Sequence, residues 1–255
     1  MYRAKLMPYL IATVFAVTFA VLLADPTMCF AQTNPDAHPA AAPAAPAAVD
    51  LRLQVVSSLP GSLRAVPAVV WLTPLPGTVV PPFLPQGHYT LLQKNRMFTP
   101  HLQVIPVGSV VQFPNADPFY HNVFSLFEGK RFDLGLYEAG SSKSVTFPRV
   151  GVSYIFCNIH PEMSAVIITL ATPFYSIADS RDSFVLHSVP AGDYRLHLWI
   201  EGVPQSFLDG LTRAVHVSSH DLDLGPFRAP IAQSPIMQHM NKFGSPYDTK
   251  SPSPY

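Results

Sequence analysis

Cysteine is scarce in this chain: only two, Cys29 and Cys157, occur among 255 residues. An excess of one charge is lacking as well, because 16 Lys and Arg residues balance 16 Asp and Glu residues. A balanced chain has no electrostatic footprint for nucleic acid and no polybasic patch for a membrane surface. The sequence also contains no phosphate-cradling glycine loop and no nucleophile-elbow motif. It therefore shows no hydrolase pattern, and we expect no enzyme activity.

One long apolar run is present, and it lies near the N-terminus. Arg3 and Lys5 precede an uncharged apolar stretch over residues 10–24, and Ala31 offers a small-residue cleavage site. This arrangement predicts a signal peptide over residues 1–31 and export to the periplasm. The apolar run is long for a signal peptide, so an uncleaved membrane anchor remains an alternative. If the signal is cleaved, we expect no stable membrane association.

Cleavage after Ala31 would leave Cys157 as the single cysteine, and so no internal disulfide. An odd cysteine in an exported protein can be a buried inert thiol, a dimer-forming thiol or a metal ligand. The nearby His160 and Met163 favour the metal ligand.

The rest of the chain predicts an all-β protein. Its 28 prolines, many of them within residues 50–230, argue against long helices there. Short runs rich in aromatic and β-branched residues follow one another between residues 89 and 170, with Gly, Pro and Asn turn signals between them. About seven short strands at this spacing predict a β-sandwich.

The most informative motif is the Cys-x2-His-x2-Met run formed by Cys157, His160 and Met163, which follows a strand-like stretch over residues 152–156. A second histidine, His121, lies upstream at the start of another predicted strand. A thiolate, two imidazoles and a weak thioether are the ligand set of a blue-copper electron-transfer site. Structural zinc usually takes four Cys and His ligands, which this set does not provide. A binuclear copper centre would need a second cysteine in the loop, and there is none.

Each of these residues also has a structural interpretation that the sequence leaves open. His121 could be a polar loop histidine, Met163 a core methionine and Asn122 a loop-capping residue. Near the C-terminus, soft donors could capture copper, or they could be incidental residues of a mobile tail; these are Met237, His239 and Met240.

Four segments together resemble the copper-binding pattern of the cupredoxins, the blue type 1 copper proteins that include amicyanin and plastocyanin. They are Phe98-Thr99-Pro100, the strand that ends at Asn115, His121-Asn122-Val123 and the Cys157 loop, whose spacing is similar to the short loop of amicyanin. The resemblance implies a Greek-key β-sandwich and one copper ion held by His121, Cys157, His160 and an axial Met163. It also implies that Asn122 ties the two ligand loops together, and that His160 is partly exposed as the electron exit.

A second resemblance is carried by two runs that flank the cupredoxin-like part, Val69-Val70-Trp71-Leu72 and Asp182 to Tyr194. With these runs, the chain resembles a group of bacterial periplasmic proteins described as methylamine-utilisation-like. In this group a cupredoxin domain accompanies a smaller accessory β-sandwich of the carboxypeptidase-regulatory-like type. The predicted boundaries are a signal peptide (1–31), an Ala/Pro-rich linker (32–49), the first part of the accessory sandwich (50–87), the cupredoxin domain (88–172), the second part of the accessory sandwich (173–218) and a flexible, disordered tail (219–255).

The leading hypothesis is therefore a periplasmic type 1 copper protein that carries single electrons. Its partner would be another redox protein, a cytochrome or a dehydrogenase. The alternative is a non-redox copper-binding module for copper storage, sensing or delivery.

Overall fold

The computed structural model describes residues 48–59, 66–126, 129–231 and 240–247. The predicted signal peptide, most of the predicted linker, and Met237 and His239 lie outside the described residues. Almost all regular structure within the described ranges is β-strand, so the prediction of an all-β chain is confirmed. The helix α1 (Gln205–Leu211) has seven residues. Among the described residues, no helix is long and apolar enough to cross a membrane.

The central part of the chain forms a β-sandwich. Its strands are β3 (Tyr89–Thr90), β4 (Leu92–Lys94), β5 (Met97–Thr99), β6 (Leu102–Pro106), β7 (Val110–Pro114), β8 (His121–Ser125), β9 (Phe132–Tyr137), β10 (Ser142–Thr146), β11 (Gly151–Phe156) and β12 (Ser164–Leu170). A five-stranded sheet has the order β6-β12-β11-β8-β9, and a three-stranded sheet has the order β10-β7-β3. The short hairpin β4-β5 completes this part. Strands β8, β11 and β12 are thus neighbours although a long segment separates β8 from β11 along the chain.

Strands from both ends of the chain form two further sheets. They are β1 (Ala48–Ser57), β2 (Ala68–Pro74), β13 (Tyr175–Ile177), β14 (Ser183–Pro190), β15 (Gly192–Ile200), β16 (Arg213–Val217) and β17 (Leu222–Ala229). One sheet has the order β14-β1-β17 and the other β13-β2-β15-β16. Each sheet therefore joins a strand that precedes the central sandwich to strands that follow it. The predicted resemblance of these two flanking sheets to a carboxypeptidase-regulatory-like domain stays a prediction.

The strand β12 contributes to two separate hydrophobic cores. Ala165 and Ile167 belong to the core inside the central sandwich. Val166 and Ile168 belong to the core formed mainly by the flanking strands. Since side chains alternate along a strand, one strand can seal both cores. The central sandwich thus packs against the flanking sheets through β12.

The sequence did not predict four of the strands, which are β5, β9, β13 and β17. The prediction of a flexible tail from residue 219 is wrong for Leu222–Ala229, where β17 pairs in parallel with β1 and buries Phe227. Gly225 and Pro226 interrupt the strand pattern there, and β1 supplies the pairing that local sequence does not indicate. The strand β9 is mostly half-exposed, and Gly135 in it has a φ of 65°. The alternation of apolar and polar residues that would predict a strand is consequently weak in β9.

Candidate metal centre

Three predicted ligands meet at one end of the central sandwich. His121 is the first residue of β8, and Cys157 directly follows β11. These two strands are hydrogen-bonded neighbours, with Phe156 opposite Phe124. His160 lies in the loop that runs from Cys157 to β12. The sheet order therefore brings together donors that are separated along the sequence.

The three donor atoms form a compact triangle. Cys157 Sγ lies 3.8 Å from His121 Nδ1 and 3.6 Å from His160 Nδ1, and the two ring nitrogens are 3.1 Å apart. A point in the plane of these atoms lies about 2.0 Å from all three, close to the lengths of first-row metal bonds to nitrogen and sulfur. All three side chains are buried. The arrangement fits a trigonal His2Cys metal site.

The ligand loop, residues 157–163, is held by its own backbone. The Cys157 N–H donates to the Met163 carbonyl at 3.2 Å, and the Met163 N–H donates to the His160 carbonyl at 3.1 Å. The Met163 side chain is fully buried in the same hydrophobic core as Cys157. Met163 therefore lies in the loop at the predicted place, and its service as the axial ligand stays a prediction.

Burial also controls the state of the thiol. Desolvation raises the pKa of Cys157, although hydrogen bonds from the backbone N–H groups of Asn122, Ile159 and His160 act in the opposite direction. The metal-free protein thus holds a protonated thiol at neutral pH. Metal binding would displace this proton, because the thiolate is the ligand.

The orientation of His121 is set by a carboxylate that the sequence analysis did not select. Its Nε2 is 2.8 Å from Asp117 Oδ2, and both side chains are buried. With Nε2 bonded to Asp117, Nδ1 remains free to face the metal position. Metal-binding histidines commonly bond to a carboxylate in this way, which fixes the ring. The available signal was the position of Asp117, four residues before His121 in an Asn-x-Asp turn.

Asp117 is itself held in place by the β4-β5 turn. Its two oxygens accept hydrogen bonds from the backbone N–H groups of Asn95, at 2.6 Å, and Arg96, at 3.0 Å. Burial acts to raise the pKa of Asp117, but hydrogen bonds from Arg96, His121 and Asn95 outweigh it, so the pKa is lowered. The carboxylate therefore stays charged and continues to orient the imidazole.

His160 differs from its expected exposure. The resemblance implied a partly exposed imidazole edge, yet His160 is only 1% exposed, so this prediction is wrong. The Phe119 ring packs beside both imidazoles, with centroids 5.3 Å from His121 and 5.6 Å from His160. Within the described part of the chain, His160 Nε2 is buried without a hydrogen-bond partner. Burial, and next the nearby His121, lower the pKa of His160, which favours the neutral form that binds metals.

Asn122 also acts differently from the prediction. Its side-chain nitrogen donates to Asp133 Oδ1 at 2.7 Å, and its side-chain oxygen has no partner among the described residues. The side chain thus joins β8 to β9 and does not tie the two ligand loops together directly. Its backbone N–H is the part of Asn122 that bonds to the Cys157 thiol.

A segment near the C-terminus reaches the ligand loop. The Tyr247 hydroxyl donates to the Cys157 carbonyl at 2.8 Å, and the Lys242 backbone N–H donates to Asn158 Oδ1 at 2.8 Å. Met240 is 60% exposed. The predicted tail site of Met237, His239 and Met240 is not tested, because two of its members lie outside the described residues.

No protein-family model matches the chain, and no curated protein matches it. Solved structures that are similar to part of this chain include a purple cupredoxin, amicyanin variants and a copper-containing nitrite reductase. A purple cupredoxin from Nitrosopumilus maritimus is 22% identical over 32% of this chain and 99% of its own, with a TM-score of 0.30. The reduced Cu(I) form of an amicyanin variant is 18% identical over 35% of this chain and 92% of its own, with a TM-score of 0.31.

A copper-containing nitrite reductase from Thermus scotoductus is 24% identical over 39% of this chain, with a TM-score of 0.31. This chain spans only 25% of that enzyme's length. These matches thus cover 32–39% of the chain, with TM-scores of 0.30–0.31.

Proposed function

We propose that this protein is a type 1 copper protein that carries single electrons. His121, Cys157 and His160 would hold one copper ion, and the Met163 thioether would be its fourth, weaker donor. The observation that carries the proposal is the buried triangle of one sulfur and two Nδ1 atoms, whose separations of 3.1–3.8 Å match a trigonal His2Cys site.

The donor types support copper over zinc. Structural zinc sites are closed by four Cys and His ligands. Within the described ranges, the cluster contains one cysteine and two histidines. Thiolate and thioether sulfur suit Cu(I), whereas imidazole suits both oxidation states. The bound metal would supply the Cu(I)/Cu(II) couple.

The fixed positions of the donors support electron transfer. His121 is locked by Asp117 and by its place in β8, and Cys157 is locked by the end of β11 and three backbone N–H groups. The three donor atoms lie within 3.1–3.8 Å of one another on well-held elements, so little rearrangement is needed between oxidation states. Burial of all three side chains keeps water from the metal position.

Localisation and partners follow from the sequence pattern and belong to the same proposal. The N-terminal signal would export the chain to the periplasm, where a cytochrome or dehydrogenase would exchange electrons with it. We propose a carrier and not an enzyme, since the metal position is enclosed by its ligands and by Phe119.

One observation favours a second candidate, a non-redox module for copper storage, sensing or delivery. Since His160 is buried, the site lacks the exposed imidazole edge that a carrier would present to a partner. Copper that is readily lost to a mild chelator would support this alternative. A reversible couple with fast self-exchange would support the electron carrier.

The visible spectrum of the oxidised, copper-loaded protein tests the proposal. We expect one copper per chain and an intense thiolate-to-copper band. Cys157→Ser should abolish the band and leave the far-ultraviolet circular dichroism unchanged. The control Val79→Ser, at a side chain that is 87% exposed, should retain the band. A parent protein without the band, or a Cys157→Ser variant that keeps it, would refute a type 1 site.

A further inference from the structure

Residues 240–247, which we name the C-terminal clasp, are bonded to the ligand loop at two points. The Tyr247 hydroxyl donates to the carbonyl of Cys157 at 2.8 Å. The Lys242 backbone N–H donates to Asn158 Oδ1 at 2.8 Å. Both acceptors belong to the first two residues of the loop, where the chain leaves β11. The clasp thus contacts the segment that positions the thiol.

A third attachment connects the clasp to the segment that carries His121. Lys242 Nζ lies 2.7 Å from Asp133 Oδ2. The other oxygen of Asp133 accepts a hydrogen bond from the side chain of Asn122, which directly follows His121. Through Lys242, the clasp therefore links β8 and β9 to the Cys157 loop. The tie between ligand segments that was predicted for Asn122 alone is completed here by Lys242.

The clasp has an internal turn that presents these groups. The side-chain oxygen of Asn241 accepts hydrogen bonds from the N–H groups of Phe243, at 2.9 Å, and Ser245, at 3.1 Å. Gly244, with a φ of 77°, donates its N–H to the Asn241 carbonyl. Lys242 is consequently held between its two partners by a turn and not by an extended tail. Phe243, in contrast, is 77% exposed.

We propose that the clasp is a built-in gate over the ligand loop, with Tyr247 and Lys242 as its positioning residues. When closed, it holds the Cys157 end of the loop against β9 and shields the thiol. When open, it frees the loop and admits a reagent or partner to the site. The expected effects on copper rest on the proposed function, whereas the attachment of the clasp to the backbone of Cys157 and to Asn158 is observed directly.

Alkylation of Cys157 in the metal-free protein, followed on its peptide by mass spectrometry, tests the shielding. Tyr247→Phe removes one hydrogen bond, and Lys242→Gln removes the charge that pairs with Asp133. A single net hydrogen bond implies that each variant is alkylated about 2- to 10-fold faster. Tyr175→Phe and Lys94→Gln are matched controls away from the clasp, and they should react at the parent rate. Clasp variants that react no faster than the parent would overturn the gate.

The salt dependence of the alkylation rate provides a second measurement, and the parent protein alone gives its first result. At about 1 M salt the screening length falls to about 3 Å, which weakens an exposed ion pair. Alkylation of the parent should therefore accelerate with salt, and Lys242→Gln should lose this response. Lys242→Arg, which keeps the charge, should retain it. A parent rate independent of salt would contradict the part assigned to Lys242.

Copper removal by a chelator separates the gate from the proposed function. If the protein forms a type 1 site, Tyr247→Phe should release copper several-fold faster, with its absorption band retained. If the parent shows no such band but the clasp variants still expose Cys157, the gate stands and the proposed function fails. A normal band with unaltered alkylation and copper release in both clasp variants would refute the gate and leave the proposed function intact.

Discussion

The Nε2 atom of His121 is bonded to the buried carboxylate of Asp117 at 2.8 Å, four residues earlier in the chain. The carboxylate is held in turn by the backbone of Asn95 and Arg96. A local turn and a distant hairpin thus jointly determine which nitrogen of His121 faces the metal position.

Asp117→Asn should weaken copper binding. The amide keeps the shape of the side chain but loses the negative charge that favours the Nε2–H form of His121. Removal of such an outer hydrogen bond typically costs about 10- to 100-fold in metal affinity. Competition with a chelator of known affinity measures the change. Asp179→Asn, at an exposed aspartate that also accepts backbone hydrogen bonds, is the control. Equal affinities for parent and Asp117→Asn would contradict the role of Asp117.

Met163→Gln should retain copper and lower the reduction potential, since an oxygen donor favours Cu(II). Met163 is fully buried, so the new amide should also cost about 1–3 kcal/mol in the free energy of unfolding. Voltammetry and chemical denaturation measure the two effects. Met97→Gln, at a methionine that is 57% exposed, should change neither. A destabilised Met163→Gln protein with an unchanged potential would identify Met163 as core packing alone.

His101 should make stability depend on pH. Its Nδ1 lies 3.1 Å from the Ser164 carbonyl and its Nε2 2.7 Å from Glu201 Oε1, so both neighbours are acceptors and favour the doubly protonated ring. The hydrogen bond to Glu201 is the main cause that raises the pKa of His101 above 6.5. This stabilisation is complete below the unfolded-state pKa and is lost as pH rises through the higher folded-state pKa.

Thermal denaturation of His101→Gln at several pH values checks this. The parent should melt above the variant at pH values below about 6.5, by roughly 2–4 °C at most for a partly exposed pair. The difference in melting temperature between the parent and His101→Gln should become smaller as the pH is raised beyond the folded-state pKa of His101. His187→Gln, at an exposed histidine, serves as the comparison. A difference in melting temperature that grows as the pH rises would contradict the predicted direction of the pH dependence.

Substitutions at the neighbours Ile167 and Ile168 should distinguish an effect on the free energy of unfolding from an effect on the metal site. Both are buried, but Ile167 faces the core that contains Cys157, and Ile168 faces the core of the flanking sheets. Each Ile→Ala change should lower the free energy of unfolding by about 2–4 kcal/mol. Only Ile167→Ala should also shift the visible band of the copper-loaded protein. Chemical denaturation measures the free energy of unfolding, and absorption spectra measure the position of the band. An equal band shift in both variants would contradict the assignment of Ile167 and Ile168 to different cores.

The metal site was predictable where its signal is local in the sequence. Cys157, His160 and Met163 lie within seven residues, and a sulfur and an imidazole at this spacing have few structural explanations. The burial of His160 was not predictable, because it depends on Phe119 from another loop. The hydrogen bond from Tyr247 to Cys157 joins positions far apart in the sequence, and no sequence pattern around either residue indicates this contact. The strand β17 was missed for the same reason, since its pairing partner is β1.

The pairing of β1 has a consequence for the order of folding. Leu51 lies opposite Leu186, and Val55 lies opposite Phe227, so these pairs close loops that include the whole central sandwich. Loop closure is less costly when the intervening chain is already compact. We therefore expect the central sandwich to fold first and the flanking sheets to assemble late, with apolar strands such as β2 unpaired in between. Substitutions that slow the central sandwich should increase aggregation during refolding even where the final stability is unchanged.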